Sequence, residues 1–468
     1  MRTGFCVIQQ RFNAAKTRAM KQAWKTFATR PVPRYTSYPT AADFSPRVAE
    51  DQARVWAASV KPEEPISVYM HVPFCEKLCF YCGCATSVPN GYRRIGTYLQ
   101  TLHQEIDVWA KALGPHAGMA HLHFGGGSPN ALSAEDFKGL VAHAVDAFGA
   151  RPDIEVAVEV DPRTLTPDFI EAMAEAGVSR VSFGVQTLAP KVQEAVGRIQ
   201  PKDLLVDGIE RLRAVGIHAI NMDLMYGLPF QTVEDVVEAA HFAAEMGAAR
   251  VSFFGYAHVP WFAKHQAAID EAALPGLEER FRQAEAGAAA LTGAGFHAIG
   301  LDHFAAPDDL LTRAARAGTL HRNFQGYTDD PCETLIGIGS TSISQFRQGY
   351  VQNFKARTAW AAAIEDGRLP SERGIELTDD DRLRGRAIEK LMCQLWVDVD
   401  ATCREMGAAP GALDDAMETA RFLQSAGLCR IDGNIVSVPK EARLLLRTVA
   451  QSFDGRFKPV EARHAKAV

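Results

Sequence analysis

Four cysteines stand within ten residues near position 80, and thiols at this spacing can bind a metal, form a disulfide or act as nucleophiles. They are Cys75, Cys79, Cys82 and Cys84, within the stretch VYMHVPFCEKLCFYCGCATSV at 68–88. The chain has nine cysteines in 468 residues, and no stretch before this one has the pattern of a signal peptide. We therefore expect a cytoplasmic protein, in which a tight cysteine cluster binds metal or performs catalysis.

The spacing favours an iron–sulfur cluster over the other metal sites. A structural zinc site usually needs a second, distant CxxC pair, and none exists here. Cys79 and Cys82 have the spacing of a thioredoxin-type pair, but the surrounding order of strands does not fit. Four thiolates normally hold a [4Fe–4S] cluster, whereas three leave one iron open to a cofactor. Ligands at Cys82 and Cys84 would need a tight bend, so we favour three ligands and keep Cys84 as the alternative fourth.

The elements that position these cysteines alternate short β-branched runs with helical stretches from about 66 to 305. This alternation is typical of βα units in a parallel sheet. Two helices are predicted at 133–148 and 232–247. The predicted strands are 66–72, 119–124, 154–160, 178–185, 217–225, 250–257 and 296–302.

The ends of these strands share a chemical character. They read HVPFC, HFGGGSP, VEVDP, FGVQ, MDLMYGLP, YAHVP and LDHF, so each apolar run ends in glycine, proline or a polar residue. Functional loops of parallel barrels lie at the carboxyl ends of the strands. The sequence therefore predicts one shared mouth lined by groups that can contact a ligand.

The bulk composition excludes two classes of function. The net charge of −6 argues against a general nucleic-acid binder. No apolar run reaches the roughly 18–20 residues that cross a bilayer. Residues 1–34 carry basic side chains and no acid, and we interpret them as a solvated basic arm, or as preceding a start at Met20, rather than as a targeting peptide.

Nine segments resemble the radical S-adenosylmethionine (SAM) family, and within it the branch that decarboxylates coproporphyrinogen III without oxygen. Cys75, Cys79 and Cys82 form the CxxxCxxC motif after the first strand, and the glycines of HFGGGSP resemble the SAM-binding strand end. The resemblance runs from about residue 33 to near the C-terminus. The segments are 33–44, 69–84, 123–129, 158–164, 182–186, 221–229, 256–260, 300–309 and 321–328.

The resemblance implies the cofactors and the residues that bind them. Cys75, Cys79 and Cys82 would hold a [4Fe–4S] cluster, SAM would chelate its open iron, and a second SAM would lie beside the first. Ser128 replaces the usual threonine but keeps the hydroxyl. The residues matched to the first SAM are Tyr69, Gly126, Glu159 and Ile343, and those matched to the second are Tyr81, Gly127, Ser128, Gln186, Arg198, Asp223 and Ala257.

The implied reaction converts the ring A and B propionates of coproporphyrinogen III to vinyl groups, giving protoporphyrinogen IX. No side chain need act as acid or base, because the SAM-derived radical takes the hydrogen. An electron donor and an electron acceptor are required, and we expect a monomer. Because the substrate carries four carboxylates, basic and polar groups are expected near it. The candidates are Arg34, Tyr35, Tyr38, Arg163, Arg322, Asn323 and Gln325.

Two related functions stay open at this point, a haem-binding chaperone and a haem-modifying radical SAM enzyme. Cys84, PRYTSYPT and HRNFQGYT favour the decarboxylase over the chaperone. We predict an α/β fold, with a partial parallel (β/α) barrel and a small, mostly helical α+β domain. The expected divisions are a basic arm at 1–32, a segment that closes on the substrate at 33–65, the barrel at 66–305, a loop-rich extension that closes the barrel at 306–375, and the C-terminal domain at 376–468.

Overall fold

A computed structural model describes residues 20–458. Six parallel strands form the centre of a twelve-stranded open sheet, in the order β1 to β6. Their carboxyl ends therefore meet at one edge, and the predicted α/β fold with an incomplete parallel barrel is confirmed. The strands are β1 Ile66–Val72, β2 Met119–Gly126, β3 Ala150–Val160, β4 Arg180–Gln186, β5 Ala219–Tyr226 and β6 Arg250–Gly255.

Helices connect these strands and bury their apolar sides against the sheet. Ser133 begins α4 by accepting a hydrogen bond from the Asp136 amide at 3.1 Å, and Thr232 with Asp235 forms a capping box at α8. Both predicted helices are confirmed. The helices are α1 Gln22–Ala28, α2 Glu50–Ala58, α3 Arg93–Ala112, α4 Ala134–Phe148, α5 Pro167–Glu175, α6 Pro190–Ala195, α7 Lys202–Ala214, α8 Val233–Glu245 and α9 Leu277–Gly293.

The seventh predicted strand, 296–302, is wrong as a member of the parallel series. The chain reverses within it, so that β7 His297–Ile299 pairs antiparallel with β8 His303–Ala305, and β8 pairs antiparallel with β6. Gly300 has a φ of 48°, a conformation that favours glycine, and it begins the turn. The apolar pattern of this run did not reveal the reversal.

The region that the sequence predicted to be loop-rich contributes strands to the main sheet. After α10 Leu310–Ala317 and the hairpin of β9 His321–Asn323 with β10 Gly326–Thr328, strand β11 Thr334–Ile338 pairs parallel with β1. A Cβ at Gly337 would lie 2.6 Å from the carbonyl oxygen of Ile343, so glycine permits the close approach of the next strand. The antiparallel edge consists of β12 Ile343–Phe346, β13 Gly349–Asn353 and β14 Ser371–Glu376.

The C-terminal part is helical with a three-stranded sheet, as expected. It follows α11 Arg357–Glu365, and Gly433 and Asn434 make the turn of its hairpin. Its elements are α12 Asp379–Gln394, β15 Trp396–Asp398, α13 Val399–Glu405, α14 Asp414–Ser425, β16 Arg430–Asp432, β17 Ile435–Ser437 and α15 Leu446–Ala450.

The N-terminal segment packs on both this C-terminal part and α9 of the barrel. Trp24 of α1 is buried, donates to the carbonyl of Ala426 at 3.0 Å and lies against Phe281 of α9. The predicted domain limits stay predictions, and residues 1–19 of the expected basic arm lie outside the described residues. Between residues 20 and 458, no helix is both long and apolar enough to span a bilayer.

Candidate active site

The four clustered cysteines lie on the loop that follows β1. The loop returns on itself, because the amide of Cys75 donates to the carbonyl of Ser87 at 3.1 Å. A tight turn follows, in which the amide of Cys82 donates to the carbonyl of Cys79 at 3.1 Å. The loop therefore gathers Cys75, Cys79 and Cys82 at the carboxyl edge of the sheet.

Two buried arginines point at Cys79. Arg163 Nη2 lies 3.2 Å and Arg198 Nη1 lies 3.4 Å from Cys79 Sγ. The same two guanidiniums contact Asp161 Oδ2 at 2.6 and 3.3 Å. Positive charge beside a thiol stabilises the thiolate, which is the form that binds metal.

The other thiols have different surroundings. Cys75 Sγ lies 3.2 Å from Thr86 Oγ1 and 3.7 Å from Ser128 Oγ, and burial raises the pKa of Cys75. The thiol of Cys84 donates to Cys82 Sγ, which lowers the pKa of Cys82 to about 6 and raises that of Cys84. The backbone amide of Cys84 also lies 3.4 Å from Cys82 Sγ. Cys84 thus supports the Cys82 thiolate in this arrangement.

The glycines at the end of β2 are required by close contacts. Gly126 has a φ of 108°, and a Cβ there would lie 2.3 Å from Nδ1 of His71. A Cβ at Gly127 would lie 2.4 Å from the carbonyl oxygen of Phe74. The amide of Gly126 donates to Glu159 Oε2 at 3.3 Å. Only glycine fits both positions, and it leaves the backbone open to a ligand.

Tyr69 lies beside this glycine turn. Its ring stacks on His123 with centroids 5.8 Å apart, and its hydroxyl donates to His71 Nδ1 at 3.2 Å. His71 Nε2 donates to the carbonyl of Ala85 at 3.2 Å, and burial lowers the pKa of His71. His123 Nε2 lies 3.4 Å from Glu159 Oε1. A neutral His71 therefore joins β1 to the cysteine loop.

The ends of β4 and β5 bring further residues assigned from the sequence to the same edge. Gln186 ends β4 in the left-handed region with a φ of 63°. Arg198 Nη2 donates to the carbonyl of Gly184 at 2.7 Å. Asp223 accepts from Ser182 Oγ at 3.0 Å, and burial, with a smaller effect of Glu159, raises the pKa of Asp223 to about 6. Of these side chains, Arg198 contacts the cysteine loop, at Cys79 Sγ.

The loop after β6 connects the cysteine loop to a large cavity. Gln266 Nε2 donates to the carbonyl of Tyr81 at 2.8 Å, and His265 Nε2 donates to that of Cys82 at 2.6 Å. Ala257, at the start of the same loop, lines the cavity. Ile343, at the start of β12, lies against Gly337 of β11, which pairs with Tyr69 of β1.

The cavity has a volume of about 2130 Å³ and lies between the barrel, α9, the N-terminal segment and the C-terminal part. Three of the seven residues proposed from the sequence to contact substrate line it, namely Arg34, Arg322 and Gln325. Asn323 is on the same hairpin, where its side chain accepts from the Gln325 amide at 2.9 Å. Arg163 is instead at Cys79.

The two tyrosines assigned to substrate are buried against the C-terminal part. Tyr35 donates to Asp454 Oδ2 at 2.9 Å, and the hydroxyl of Tyr38 accepts from the Gly455 amide at 3.1 Å. Neither lines the cavity. They hold the N-terminal segment in place, so that Arg34 reaches the cavity wall.

The residues present fit an iron–sulfur cluster with SAM beside it. Within residues 20–458, no three His, Cys, Asp or Glu side chains converge closely enough to hold a single metal ion. A cluster of several irons needs its thiolates farther apart than one ion does. Two guanidiniums contact Cys79 and two hydroxyls contact Cys75, and the glycine turn leaves room for a ligand against the backbone.

Several residues of this site were not assigned from the sequence. His71 and Asp161 stand in the strand ends HVPFC and VEVDP, so their position was a usable signal. Arg280, Arg443 and Arg447 line the cavity but belong to no motif. Tertiary packing alone brings them together.

Comparison with known proteins indicates the same kind of site, one that binds an iron–sulfur cluster and SAM. Residues 69–243 match the radical SAM superfamily. An oxygen-independent coproporphyrinogen III oxidase of Bradyrhizobium diazoefficiens is 44% identical over 93% of this chain and 97% of its own length. An oxygen-independent coproporphyrinogen III oxidase of Salmonella typhimurium is 36% identical over 91% of this chain and 93% of its own length.

A solved structure is similar to this protein over most of the length of both chains. Coproporphyrinogen III oxidase from Escherichia coli, described as a radical SAM enzyme, has a TM-score of 0.86 and 34% identity to this chain. The match covers 91% of this chain and 98% of that one. Coverage of this extent includes the barrel, the cavity and the C-terminal part. The chain therefore belongs to the oxygen-independent coproporphyrinogen III oxidase family of radical SAM enzymes.

Proposed function

We propose that this protein decarboxylates coproporphyrinogen III oxidatively, without oxygen, at the ring A and B propionates, and so makes protoporphyrinogen IX for haem biosynthesis. The observation that carries the proposal is the position of the three thiols. They lie on the loop after β1, and the loop after β6 connects this cysteine loop to a cavity of about 2130 Å³. A cavity of this size accommodates a tetrapyrrole. The names of the relatives support the same substrate.

Cys75, Cys79 and Cys82 hold the [4Fe–4S] cluster in this proposal, and Cys84 does not. When bound, the cluster and SAM would supply one-electron chemistry. Arg163 and Arg198 balance the negative charge of the Cys79 thiolate through contacts of 3.2 and 3.4 Å. The chain's contribution is charge balance and fixed geometry.

The strand ends bind SAM. For the first molecule, Gly126 offers backbone at close range, Glu159 accepts hydrogen bonds from hydroxyls, and Tyr69 and Ile343 provide contact surface. Glu159 is already oriented by the Gly126 amide at 3.3 Å. The second molecule is assigned to Tyr81, Gly127, Ser128, Gln186, Arg198, Asp223 and Ala257.

The cavity holds the porphyrinogen. Arg34 and Arg322 neutralise carboxylates, and Gln325 and Asn323 contact the ring from the β9–β10 hairpin. Tyr35 and Tyr38 act indirectly, by anchoring the N-terminal segment. Closure by this segment excludes water from the reacting propionate.

The remaining partners follow from the reaction. An electron donor must reach the cysteine loop, and an acceptor must remove the electron left after loss of CO₂. We propose that the enzyme is cytoplasmic, because cluster thiols need a reducing compartment, and that it acts as a monomer.

Turnover of coproporphyrinogen III tests the proposal. The protein is reconstituted with iron and sulfide under anaerobic conditions and given SAM, a reductant and an electron acceptor. We expect protoporphyrinogen IX and CO₂. Stable haem binding with no turnover of coproporphyrinogen III would instead identify the haem chaperone, and modification of haem would identify the other relative.

Cysteine variants test the ligand assignment. Replacing Cys75, Cys79 or Cys82 by Ser should remove the cluster absorbance and SAM cleavage together. Cys84→Ser is the matched control, and it should keep the iron content of the wild type. Loss of iron in Cys84→Ser alone would contradict the assignment.

A further inference from the structure

Three arginines on the cavity wall have no carboxylate partner among residues 20–458. Arg280 lies on α9, Arg322 on β9, and Arg443 between β17 and α15. No guanidinium nitrogen of these residues is within 4.0 Å of a carboxylate oxygen of the described chain. By contrast, Arg282, also on α9 and at the cavity, pairs with Glu279.

Arg322 and Arg443 each contain a buried nitrogen with no hydrogen-bond acceptor. Arg322 Nε donates to the carbonyl of Tyr35 at 3.1 Å, and Arg443 Nε donates to that of Leu301 at 3.2 Å. Arg322 Nη1 and Arg443 Nη2 are buried and have no partner. Both arginines lie close to Tyr327: the Arg322 guanidinium is 4.3 Å from the centroid of its ring, and Leu301, which accepts from Arg443, donates its amide to the Tyr327 hydroxyl at 2.8 Å. Buried donors without an acceptor are uncommon, so the pair points to a missing anionic ligand.

Arg280 is held by carbonyls alone. Its Nη2 donates to Tyr256 at 2.7 Å and its Nη1 to Gly227 at 3.4 Å, below the ring of Tyr226. Burial lowers the pKa of Arg280, and it also lowers the pKa of Arg443. Both side chains are therefore positive charges desolvated without a fixed counter-charge.

Acidic side chains also line this cavity, but among residues 20–458 none of them forms an ion pair with Arg280, Arg322 or Arg443. Asp302 is the carboxylate whose charge acts on the Arg443 guanidinium and raises its pKa, but Asp302 already accepts from His303 Nδ1 at 2.8 Å. Glu271, which also lines the cavity, pairs with His258 at 3.0 Å. Arg447 adds positive charge to the Asp302 side. Asp302 and Glu271 thus have other partners than the three arginines.

We propose that Arg322 and Arg443 together bind one propionate carboxylate of the substrate and that Arg280 binds another. The inference rests on the proposed function and deepens it. Planar guanidiniums bind carboxylates through paired, charge-assisted hydrogen bonds, which fix orientation as well as position. Two propionates of the tetrapyrrole survive the reaction. Held at these arginines, they turn the reacting propionates toward the cysteine loop.

Binding of coproporphyrin III, the fluorescent oxidised form with the same four propionates, tests the proposal on the anaerobically reconstituted enzyme. Arg443→Gln and Arg280→Gln should each weaken its binding roughly 10- to 100-fold, the usual effect of one charge-assisted hydrogen bond. Arg443→Lys keeps the charge and should recover part of the loss. Arg282→Gln is the control on α9, and its affinity should equal that of the wild type.

The readouts separate this inference from the proposed function. Each variant should retain cluster absorbance and cleavage of SAM in the absence of porphyrinogen, which shows that it is folded. With substrate, KM should rise more than kcat falls. If the wild type turns over coproporphyrinogen III and both glutamine variants bind coproporphyrin III as tightly as it does, the carboxylate assignment is wrong. If the wild type binds coproporphyrin III through these arginines without turnover, only the proposed function fails.

Discussion

At the scale of single residues, Asp161 connects two arginines to one cysteine. Its carboxylate contacts Arg163 and Arg198, whose guanidiniums both reach Cys79 Sγ. Burial by itself would raise the pKa of Asp161, but the two guanidiniums outweigh it and the pKa is lowered. The carboxylate is thus charged, and it fixes the groups that surround the thiolate.

Replacing Asp161 by Asn should destabilise the protein by about 3–5 kcal/mol, because two buried guanidiniums lose their counter-charge. Urea unfolding of the cluster-free protein measures the change. Asp153→Asn is the control, since Asp153 pairs with Arg151 at the surface, and it should leave the urea midpoint unchanged. An equal midpoint for Asp161→Asn and the wild type would show that the network has no energetic role.

Asp223 gives a pH-dependent prediction. Because burial raises its pKa to about 6, the folded state favours the protonated carboxyl. Its contribution to stability is complete below the ordinary pKa near 4 and is lost as the pH rises through 6. The Asp223→Asn variant should therefore gain stability relative to the wild type between pH 4 and 7. Urea midpoints across this range test the sign, and a gain toward low pH would contradict it.

At the scale of elements, the ends of the parallel strands could be predicted and the non-local pairings could not. Short apolar runs ending in HFGGGSP or VEVDP are local signals, and they placed Gly126 and Glu159 correctly at one edge. β11 enters the sheet beside β1 from far along the chain, and Gly300 reverses a run that has the composition of one strand. Both depend on tertiary packing, which a local pattern does not contain.

The same limit applies to the candidate site. The spacing of Cys75, Cys79 and Cys82 predicts a metal site from the sequence alone. Arg280 and Arg443 stand in helical and loop segments where arginine is ordinary, so nothing in the sequence separates them from surface charges. Only the folded cavity shows that they face a common space.

Gly126→Ala should abolish SAM binding. A Cβ at this position lies 2.3 Å from the His71 ring, and the φ of 108° strains any other residue. Equilibrium dialysis with labelled SAM measures the loss. Gly139→Ala in α4 has no atom within 4 Å of the new Cβ and should bind SAM normally, with a gain in stability of about 1 kcal/mol from helix propensity. Normal SAM binding by Gly126→Ala would show that SAM does not need a glycine at this position.

At the scale of the whole molecule, three distant parts of the chain close one cavity. Its wall includes Arg34 from the N-terminal segment, Arg322 from the β9–β10 hairpin and Arg443 from the C-terminal part. Hydrogen bonds from Trp24 and Tyr35 attach the N-terminal segment to the C-terminal part. A ligand that fills the cavity would therefore contact all three parts at once.

Coproporphyrin III should slow amide hydrogen exchange in all three parts together, at 29–36, 322–326 and 440–447. Ligand contacts stabilise each part against local opening. Mass spectrometry of exchange with and without ligand measures this, and helix α4 is the internal reference. Slowing confined to the barrel would show that the N-terminal and C-terminal parts do not close on the substrate.

The most direct test of the account follows hydrogen from substrate to cofactor. Coproporphyrinogen III with deuterium on the propionate β-carbons is supplied to the reconstituted enzyme with SAM, a reductant and an electron acceptor. The account predicts protoporphyrinogen IX, release of CO₂ and deuterium in the 5′-deoxyadenosine formed. Product without deuterium in 5′-deoxyadenosine, or cleavage of SAM with no change in the porphyrinogen, would contradict it.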